Sequence, residues 1–359
     1  MLLLDDTQRI LDSYLQESEI ILNNLLLEKF NNKGCKIIPC LDLGFPHDVI
    51  RLAGGFATGM YITWFERATF VPIDICMNVC SVSIYELKKG DIELVTQKAI
   101  EKLLDNLSKS SYIANFHRGN HFISYAESIN NQKKYIIIHS SAAEFETYYN
   151  GLYPVENNYF YSRIKTFYSR NRYIRYIDGN TAELFYALAE NLYAYNERRH
   201  DFIIASLIDE RDEVTKKKHY HHYGMPNRNE ALLGCHKIRK GDETPLLTRP
   251  GENIYLIKYF DAKPEYRLDD EFFITPHGLG KCHIQEPHFS VNITDSNMTF
   301  DGLEYSIKYG SSLRNHPGLK LRDMPVSNYF SFFDNVYKYE IIDEFRQISS
   351  YNKLGYRKW

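Results

Sequence analysis

The chain of 359 residues has no long hydrophobic run and almost no excess of charge. Its longest apolar stretch, from Ala53 to Phe65, contains three glycines and is too short to span a lipid bilayer. The first residues, "MLLLDDTQRI", lack the basic segment that begins a secretion signal. We therefore expect a cytoplasmic protein with no membrane partner.

Cysteine is sparse, with six residues in the whole chain and no pair at C-x-x-C spacing. Secreted disulfide-stabilised domains have a much higher cysteine density, and zinc ribbons need closely paired cysteines. The sequence therefore predicts reduced thiols and no zinc ribbon. The net charge of −3 is also not typical of a nucleic-acid-binding protein. Any nucleic-acid-binding surface would therefore be confined to a local basic segment.

One local basic segment is present at residues 161–176, "YSRIKTFYSRNRYIRY". Its arginines and lysine alternate with tyrosine and phenylalanine. Cations contact phosphates and aromatic rings stack on bases, which is what single-stranded RNA requires. A strand or helix with a solvated charged face gives the same pattern, so both interpretations stay open.

Apolar residues recur at helical spacing in several segments. They predict an N-terminal helical segment over residues 1–34 and further helices over 91–108 and 180–208. A last amphipathic piece covers roughly 334–349. Strands and helices come in blocks and do not alternate strictly, which favours an α+β fold with a single large domain over residues 1–359.

The segment "KKYIIIHSS", residues 133–141, is rich in β-branched residues and predicts a strand with His139 at its C-terminal end. The highly charged segment at residues 209–223, "DERDEVTKKKHYHHY", is the best candidate for a mobile loop.

Four short segments each place a possible metal ligand beside glycine, asparagine or serine at the end of an apolar run. The candidates are Asp74, His121, His139 and either His221 or His222. A mixed nitrogen and oxygen set, with sulfur nearby, suits Mn²⁺, Zn²⁺ or Fe²⁺ better than Mg²⁺. A lone histidine is more often structural or exposed than a ligand, and spacing this long does not show that the four meet.

A fifth segment, "FITPHGLGKCH" at residues 273–283, places His277 on a glycine-rich turn with Lys281 four residues later. A histidine nucleophile must be neutral, exposed at one nitrogen and close to a cation. Glycines let a nucleotide approach the backbone. The segment makes His277 a candidate nucleophile and Lys281 a candidate phosphate contact, although H-G-x-G-K alone is often only a turn.

Seven segments follow one another between residues 74 and 281, within a match that runs from about residue 70 to 345. They read "DICMNVC", "GNHFI", "HSSAAE", "HHYGMP", "IRKGDETP", "RPGEN" and "HGLGK". In this order they resemble the RtcB-type RNA ligase family of tRNA splicing and RNA repair. That family has a D-I-x-C-G loop, a G-N-H-F segment, an H-S-G-S-R-G loop, a histidine-rich segment, an H-R-K-G-A-T strand, a P-G-S loop and a late H-G-A-G-R.

The resemblance implies β-sheets packed around a metal-binding cleft and flanked by helices. It also implies a GTP- and Mn²⁺-dependent ligase that joins RNA 3′-phosphate or 2′,3′-cyclic phosphate ends to 5′-hydroxyl ends through a histidine–guanylate intermediate. The RNA partners would be tRNA halves or cleaved RNA ends.

By this resemblance, His277 is the guanylylated nucleophile. The implied metal ligands, for one or two Mn²⁺, are Asp74, His121, His139 and His222. Asn120, Lys240 and Lys281 fall where the family contacts phosphate or guanylate.

Several family positions are altered. Met77 occupies the position of the metal-bridging cysteine, so either Cys76 or Cys80 replaces it through a loop shift or only one metal binds. We take the immediate neighbour, Cys76, as the ligand. Ala143 and Ile238 replace an arginine and a histidine of the family pattern. Two alternatives therefore remain: a weak or inactive paralogue that binds RNA ends or metal, and a metal-dependent phosphoesterase.

Overall fold

The computed structural model describes residues 6–65, 67–88, 94–117, 119–142, 152–208, 214–283, 291–294, 297–313, 316–317, 319 and 321–359. These residues form an α+β structure, made mostly of sheets and a few helices, which confirms the α+β class predicted from the sequence. None of the described helices is both long enough and apolar enough to cross a membrane.

The described α-helices are α1 (Asp6–Phe30), α2 (Val49–Ala53), α3 (Gln97–Ser108), α4 (Gly179–Leu207) and α5 (Val326–Phe333). Three of them coincide with predicted helices: α1, α3 and α4. Residues 1–5 and 91–93, which the predictions included, lie outside the described residues.

Twenty-two strands are described. In chain order they are β1 (Lys36–Gly44), β2 (Thr58–Thr63), β3 (Phe70–Pro72), β4 (Cys80–Leu87), β5 (Phe122–Ser128), β6 (Lys134–Ser141), β7 (Lys165–Ser169), β8 (Arg172–Asp178), β9 (Val214–His221), β10 (Tyr223–Asn227), β11 (Glu230–Leu233), β12 (Cys235–Arg239), β13 (Glu243–Leu246), β14 (Ile254–Ala262), β15 (Phe272–Pro276), β16 (Lys281–His283), β17 (Val291–Ile293), β18 (Asn297–Phe300), β19 (Leu303–Ser306), β20 (Leu321–Asp323), β21 (Tyr337–Asn352) and β22 (Gly355–Lys358).

The largest sheet has the antiparallel order β13–β14–β21–β5–β6–β4–β9, and β22 pairs with β21. It curls into a half-barrel, so that its two edge strands approach each other. Tyr220 on β9 donates a hydrogen bond of 3.2 Å to Glu243 on β13, and Lys218 pairs with the same carboxylate. Apolar side chains such as Ile137 and Leu256 form one core of this sheet.

A second core lies between this sheet and the helices α3 and α4. Leu103 of α3 and Ile203 of α4 pack in one cluster with Ile136 and Ile138 of β6. The apolar spacing that predicted these helices therefore corresponds to the face they bury against the sheet.

Smaller sheets complete the structure. Their orders are β1–β2–β11–β10, β3–β8–β7, β12–β15, β16–β20 and β17–β18–β19. The helix α1 contributes Leu11, Leu22 and Leu25 to the largest apolar cluster, together with residues of β2 and β8.

Two predicted segments differ from the structure. Residues 214–221 of the expected mobile loop form the edge strand β9, because they pair with β4 along its length; residues 209–213 lie outside the described residues. The amphipathic piece at 334–349 falls mostly in β21, a strand that pairs with β14 and β5. In both segments, hydrogen bonding to strands that are distant in the chain decides the structure, and the pattern of residues within the segment does not.

The basic segment at 161–176 forms most of a hairpin between β7 and β8. Two of its cations point into the protein. Arg172 is 6% exposed and Arg175 is 8% exposed, and Arg172 lies over the ring of Tyr14 at 3.8 Å. The RNA-binding interpretation therefore does not apply to these two arginines, whereas Arg163 and Arg170 are exposed.

Candidate functional site

Four ligand-type side chains gather at one end of the central sheet. Cys80 begins β4 and His139 lies near the end of β6; His121 directly precedes β5 and His222 directly follows β9. In an antiparallel sheet the start of each strand lies beside the end of its neighbour. The register places Cys80 opposite Ser141, two residues from His139. The order of the strands therefore brings the four together.

The distances within this group suit a metal ion. The Sγ of Cys80 lies 3.0 Å from Nε2 of His139, and that nitrogen lies 3.2 Å from Nε2 of His222. All three ligand atoms lie within 4.8 Å of one another. Ligand atoms that share one tetrahedral ion are about 3.3–3.5 Å apart, given metal–ligand distances of about 2.0–2.3 Å. The group could therefore hold one ion.

His121 lies at the border of the group, with its Nε2 3.9 Å from the Sγ of Cys80. Its Nδ1 lies 3.1 Å from the carbonyl oxygen of Asn115, and Nδ1 of His139 lies 3.1 Å from the carbonyl oxygen of Asn120. A carbonyl only accepts hydrogen bonds, so we assign the proton to Nδ1 in both rings. Their Nε2 lone pairs are then directed towards the sulfur, as metal binding requires.

Burial favours the neutral form of His139 and His222. Loss of solvent, followed by the neighbouring imidazoles, lowers the pKa of His139 and of His222 well below the usual value. Within the described part of the chain, Nδ1 of His222 is buried and has no hydrogen-bond partner. Neutral imidazole is the form that binds metal.

The candidate nucleophile lies beside this group. His277 follows β15, and its ring stacks on that of His222 with centroids 4.8 Å apart and planes 20° apart. Its Nδ1 lies 2.7 Å from a carboxylate oxygen of Asp42 and 2.7 Å from the carbonyl oxygen of Gly234. With Nδ1–H donated to these acceptors, the lone pair is on Nε2.

Sequence reasoning missed Asp42. It lies on β1 within the run "IIPCLDLG", where its neighbours are apolar and buried, and its side chain is only 2% exposed. A carboxylate in such a run is rarely buried without a partner. That signal could have identified Asp42 as a site residue.

Three predicted metal ligands lie outside the metal group found among the described residues: His121 lies at its border, and Asp74 and Cys76 lie further away. Both carboxylate oxygens of Asp74 accept hydrogen bonds from Arg175, at 2.6 to 3.1 Å. Burial raises the pKa of Asp74 and the guanidinium of Arg175 opposes that shift. Cys76 ends a short helical turn with φ 45°, and the chain needs four more residues to reach β4. The thiol in the group is thus that of Cys80 and not that of Cys76.

The loop before Cys80 is held by a buried arginine. Arg51 donates to the carbonyl oxygens of Ile75 at 3.1 Å and Cys76 at 2.7 Å, and to the hydroxyl of Tyr223 at 2.7 Å. Tyr223 follows His222 in the chain. One guanidinium therefore connects the segments that carry two members of the metal group.

The predicted phosphate contacts are less well defined. Asn120 is exposed, and its backbone carbonyl orients His139. Lys240 is exposed on the turn after β12, with its Nζ 3.6 Å from Asp261. The side chain of Lys281 and the whole of Ala143 lie outside the described part of the structure.

An open groove of about 1020 Å³ lies at the seam between β9 and β13. His236 lines it, and its ring lies 5.5 Å from that of His222. Burial, followed by His277, lowers the pKa of His236 to about 3. Lysines and acidic residues both line the groove, so it does not provide the uniformly basic surface expected for a nucleic-acid backbone.

No family model matches the sequence, and no curated protein is significantly similar to it. What the site itself defines is a buried thiol–imidazole group, able to hold a metal ion, beside a carboxylate-oriented histidine.

Proposed function

We propose that the chain is a GTP-dependent RNA ligase of the RtcB type, with His277 as the guanylylated residue. The observation that carries the proposal is the setting of His277. Its Nδ1 is 2.7 Å from Asp42, and its ring stacks on His222 of the metal group. A nucleophilic histidine needs an orienting acceptor on one nitrogen and a free lone pair on the other.

In the first step, Nε2 of His277 attacks the α-phosphorus of GTP. A nitrogen–phosphorus bond forms, and pyrophosphate leaves with the electrons of the broken oxygen–phosphorus bond. Asp42 accepts the Nδ1–H hydrogen bond and stabilises the positive charge that develops on the ring. An ion held by Cys80, His139 and His222 would neutralise charge on the phosphates.

In the second step, an oxygen of the RNA 3′-phosphate attacks the guanylate and breaks the nitrogen–phosphorus bond, which regenerates His277. The 5′-hydroxyl of the second RNA end then attacks the activated 3′-phosphate, loses its proton and displaces GMP. A 2′,3′-cyclic phosphate would first be opened by hydrolysis. Exposed Asn120 and Lys240 remain the proposed phosphate or guanylate contacts.

A second candidate is a paralogue that binds metal or RNA ends without joining them. It is favoured by the pairing of Asp74 with Arg175 and by Met77, which is only 1% exposed. The pairing occupies the carboxylate that the resemblance implies as a ligand, and Met77 supplies no charge at the family's cysteine position, so Cys80 is the one thiol in the metal group. A protein of this kind would bind metal but would not become guanylylated.

Labelling with [α-³²P]GTP separates the two candidates. We expect wild-type protein to retain label with Mn²⁺ or Zn²⁺, and the label to survive alkali and be lost in acid, as expected of a phosphoramidate. His277→Ala should abolish it, whereas His117→Ala, at an exposed histidine, should not. Absence of label with every divalent ion would contradict the ligase proposal and favour the binding protein.

A further inference from the structure

The metal group departs from the two-manganese site that the resemblance implies. We infer that it holds a single zinc-type ion, bound through Cys80, His139 and His222. This inference rests on the proposed function only for the location of the ion beside His277. The binding itself does not require the chain to react with GTP.

The donor atoms are the first reason. The group offers one sulfur and two imidazole nitrogens within 4.8 Å of one another. Thiolate and imidazole select Zn²⁺ and similar borderline ions, whereas Mn²⁺ is favoured by carboxylate, carbonyl and water oxygens. The donor set therefore fits zinc better than manganese.

The carboxylate of Asp74, which the resemblance implies as a metal ligand, is the second reason, because both of its oxygens are committed elsewhere. Asp74 accepts from Arg175 through both oxygens, and its side chain is fully buried. Asp42, whose Oδ2 accepts from Nδ1 of His277, is not part of the group. Releasing Asp74 for a metal would leave the guanidinium of Arg175 buried without a counter-charge, which is strongly unfavourable.

Counting residues from Cys80 provides the third reason. The D-I-x-C-G pattern places an aspartate three residues before its cysteine, and the residue three before Cys80 is Met77. Its thioether has no charge, and the side chain is buried. Two divalent ions would bring four positive charges into a buried site with one thiolate, and such uncompensated charge is costly.

Three protein ligands also leave one position of a tetrahedral ion open, which is the arrangement of catalytic rather than structural zinc. His121, 3.9 Å from Cys80, lies beside the group and is not one of the three ligands. The proposed ion is thus available to a phosphate oxygen beside His277.

Metal counting tests the inference. Full-length protein is stripped with a chelator, titrated separately with Zn²⁺, Co²⁺ and Mn²⁺, and analysed for bound metal. We expect about one ion per chain, a sulfur-to-cobalt charge-transfer band, and zinc affinity at least about tenfold above manganese affinity.

Cys80→Ser should abolish the charge-transfer band and weaken zinc binding by at least about 100-fold. Cys76→Ser is the matched control, since Cys76 is also buried, and should leave the band unchanged. Circular dichroism checks that both variants fold. If Cys80→Ser does not fold, His222→Gln replaces it and should lower zinc affinity while retaining a sulfur band.

Two Mn²⁺ ions per chain that zinc does not displace would overturn the inference, as would loss of the band in Cys76→Ser but not in Cys80→Ser. The GTP-labelling experiment is a separate measurement. If one zinc ion binds but no label is found, only the ligase proposal is refuted. If label is found together with two bound manganese ions, only the inference of a single zinc-type ion is refuted.

Discussion

At the scale of single residues, the partner of each imidazole decides which nitrogen is reactive. In His121, His139 and His277, Nδ1 faces an acceptor oxygen. The opposite nitrogen of each ring then has a lone pair for metal or phosphorus. The neighbouring acceptor oxygens thus determine which nitrogen of each histidine is available to react.

We expect Asp42→Asn to slow the proposed guanylylation of His277 by about 10- to 100-fold, the range typical when the orienting partner of a histidine is removed. The loss is partial because the carbonyl oxygen of Gly234 also lies 2.7 Å from Nδ1. Single-turnover labelling measures the rate. Metal content serves as the control and should not change, because Asp42 lies outside the metal group. An unchanged rate would exclude Asp42 as the orienting residue.

At the scale of elements, the hairpin of β7 and β8 shows how a sequence pattern can mislead. Alternating cations and aromatic rings are typical of an RNA-binding surface, yet β8 is buried on both faces, so that Arg172 and Arg175, which lie on opposite faces of the strand, are both covered. There they contact α1 and Asp74 respectively. The hairpin therefore stabilises the region before β4, and only its outward cations remain candidates for RNA contact.

Arg175→Ala should lower the free energy of unfolding by about 3–5 kcal/mol, because it leaves the Asp74 carboxylate buried without its partner. Urea denaturation followed by circular dichroism measures the change. Arg170→Ala, in the exposed turn of the same hairpin, is the control and should change stability by no more than about 0.5 kcal/mol. Equal effects of the two substitutions would refute the structural role of the buried pair.

At the scale of the whole molecule, complete or partial burial favours the neutral form of several histidines. Burial lowers the pKa of His219 to about 4 and of His221 to about 3, and it lowers the pKa of His200 well below the usual value. An unfolded histidine takes up a proton near pH 6.5. Between that pH and about 4, the unfolded chain binds protons that the folded chain does not.

The stability of metal-free protein should therefore be greatest above about pH 6.5 and fall as the pH decreases, by up to about 1.4 kcal/mol per pH unit for each such histidine. Urea denaturation at several values between pH 7.5 and 5 tests this. His219→Asn should reduce the slope, whereas His117→Asn, at an exposed site, should not. A free energy of unfolding that stays constant or rises on acidification would contradict the prediction.

The sequence alone determined the local elements and the types of chemical group. Apolar periodicity predicted α1, α3 and α4, and the β-branched run before His139 predicted β6. His121, His139 and either His221 or His222 were candidates from their place at the ends of apolar runs, and His277 was a candidate from its glycine-rich turn. These features depend on residues that are only a few positions apart in the chain. They can therefore be recognised in one amino-acid sequence without the structure.

Only the tertiary structure decided which groups meet. Asp74 pairs with a residue 101 positions away, and Asp42 contacts one 235 positions away. Such contacts depend on the order and register of strands that are distant in the chain, which periodicity does not encode. For the same reason, the strand order and not the spacing selected Cys80 over Cys76 as the thiol of the metal group.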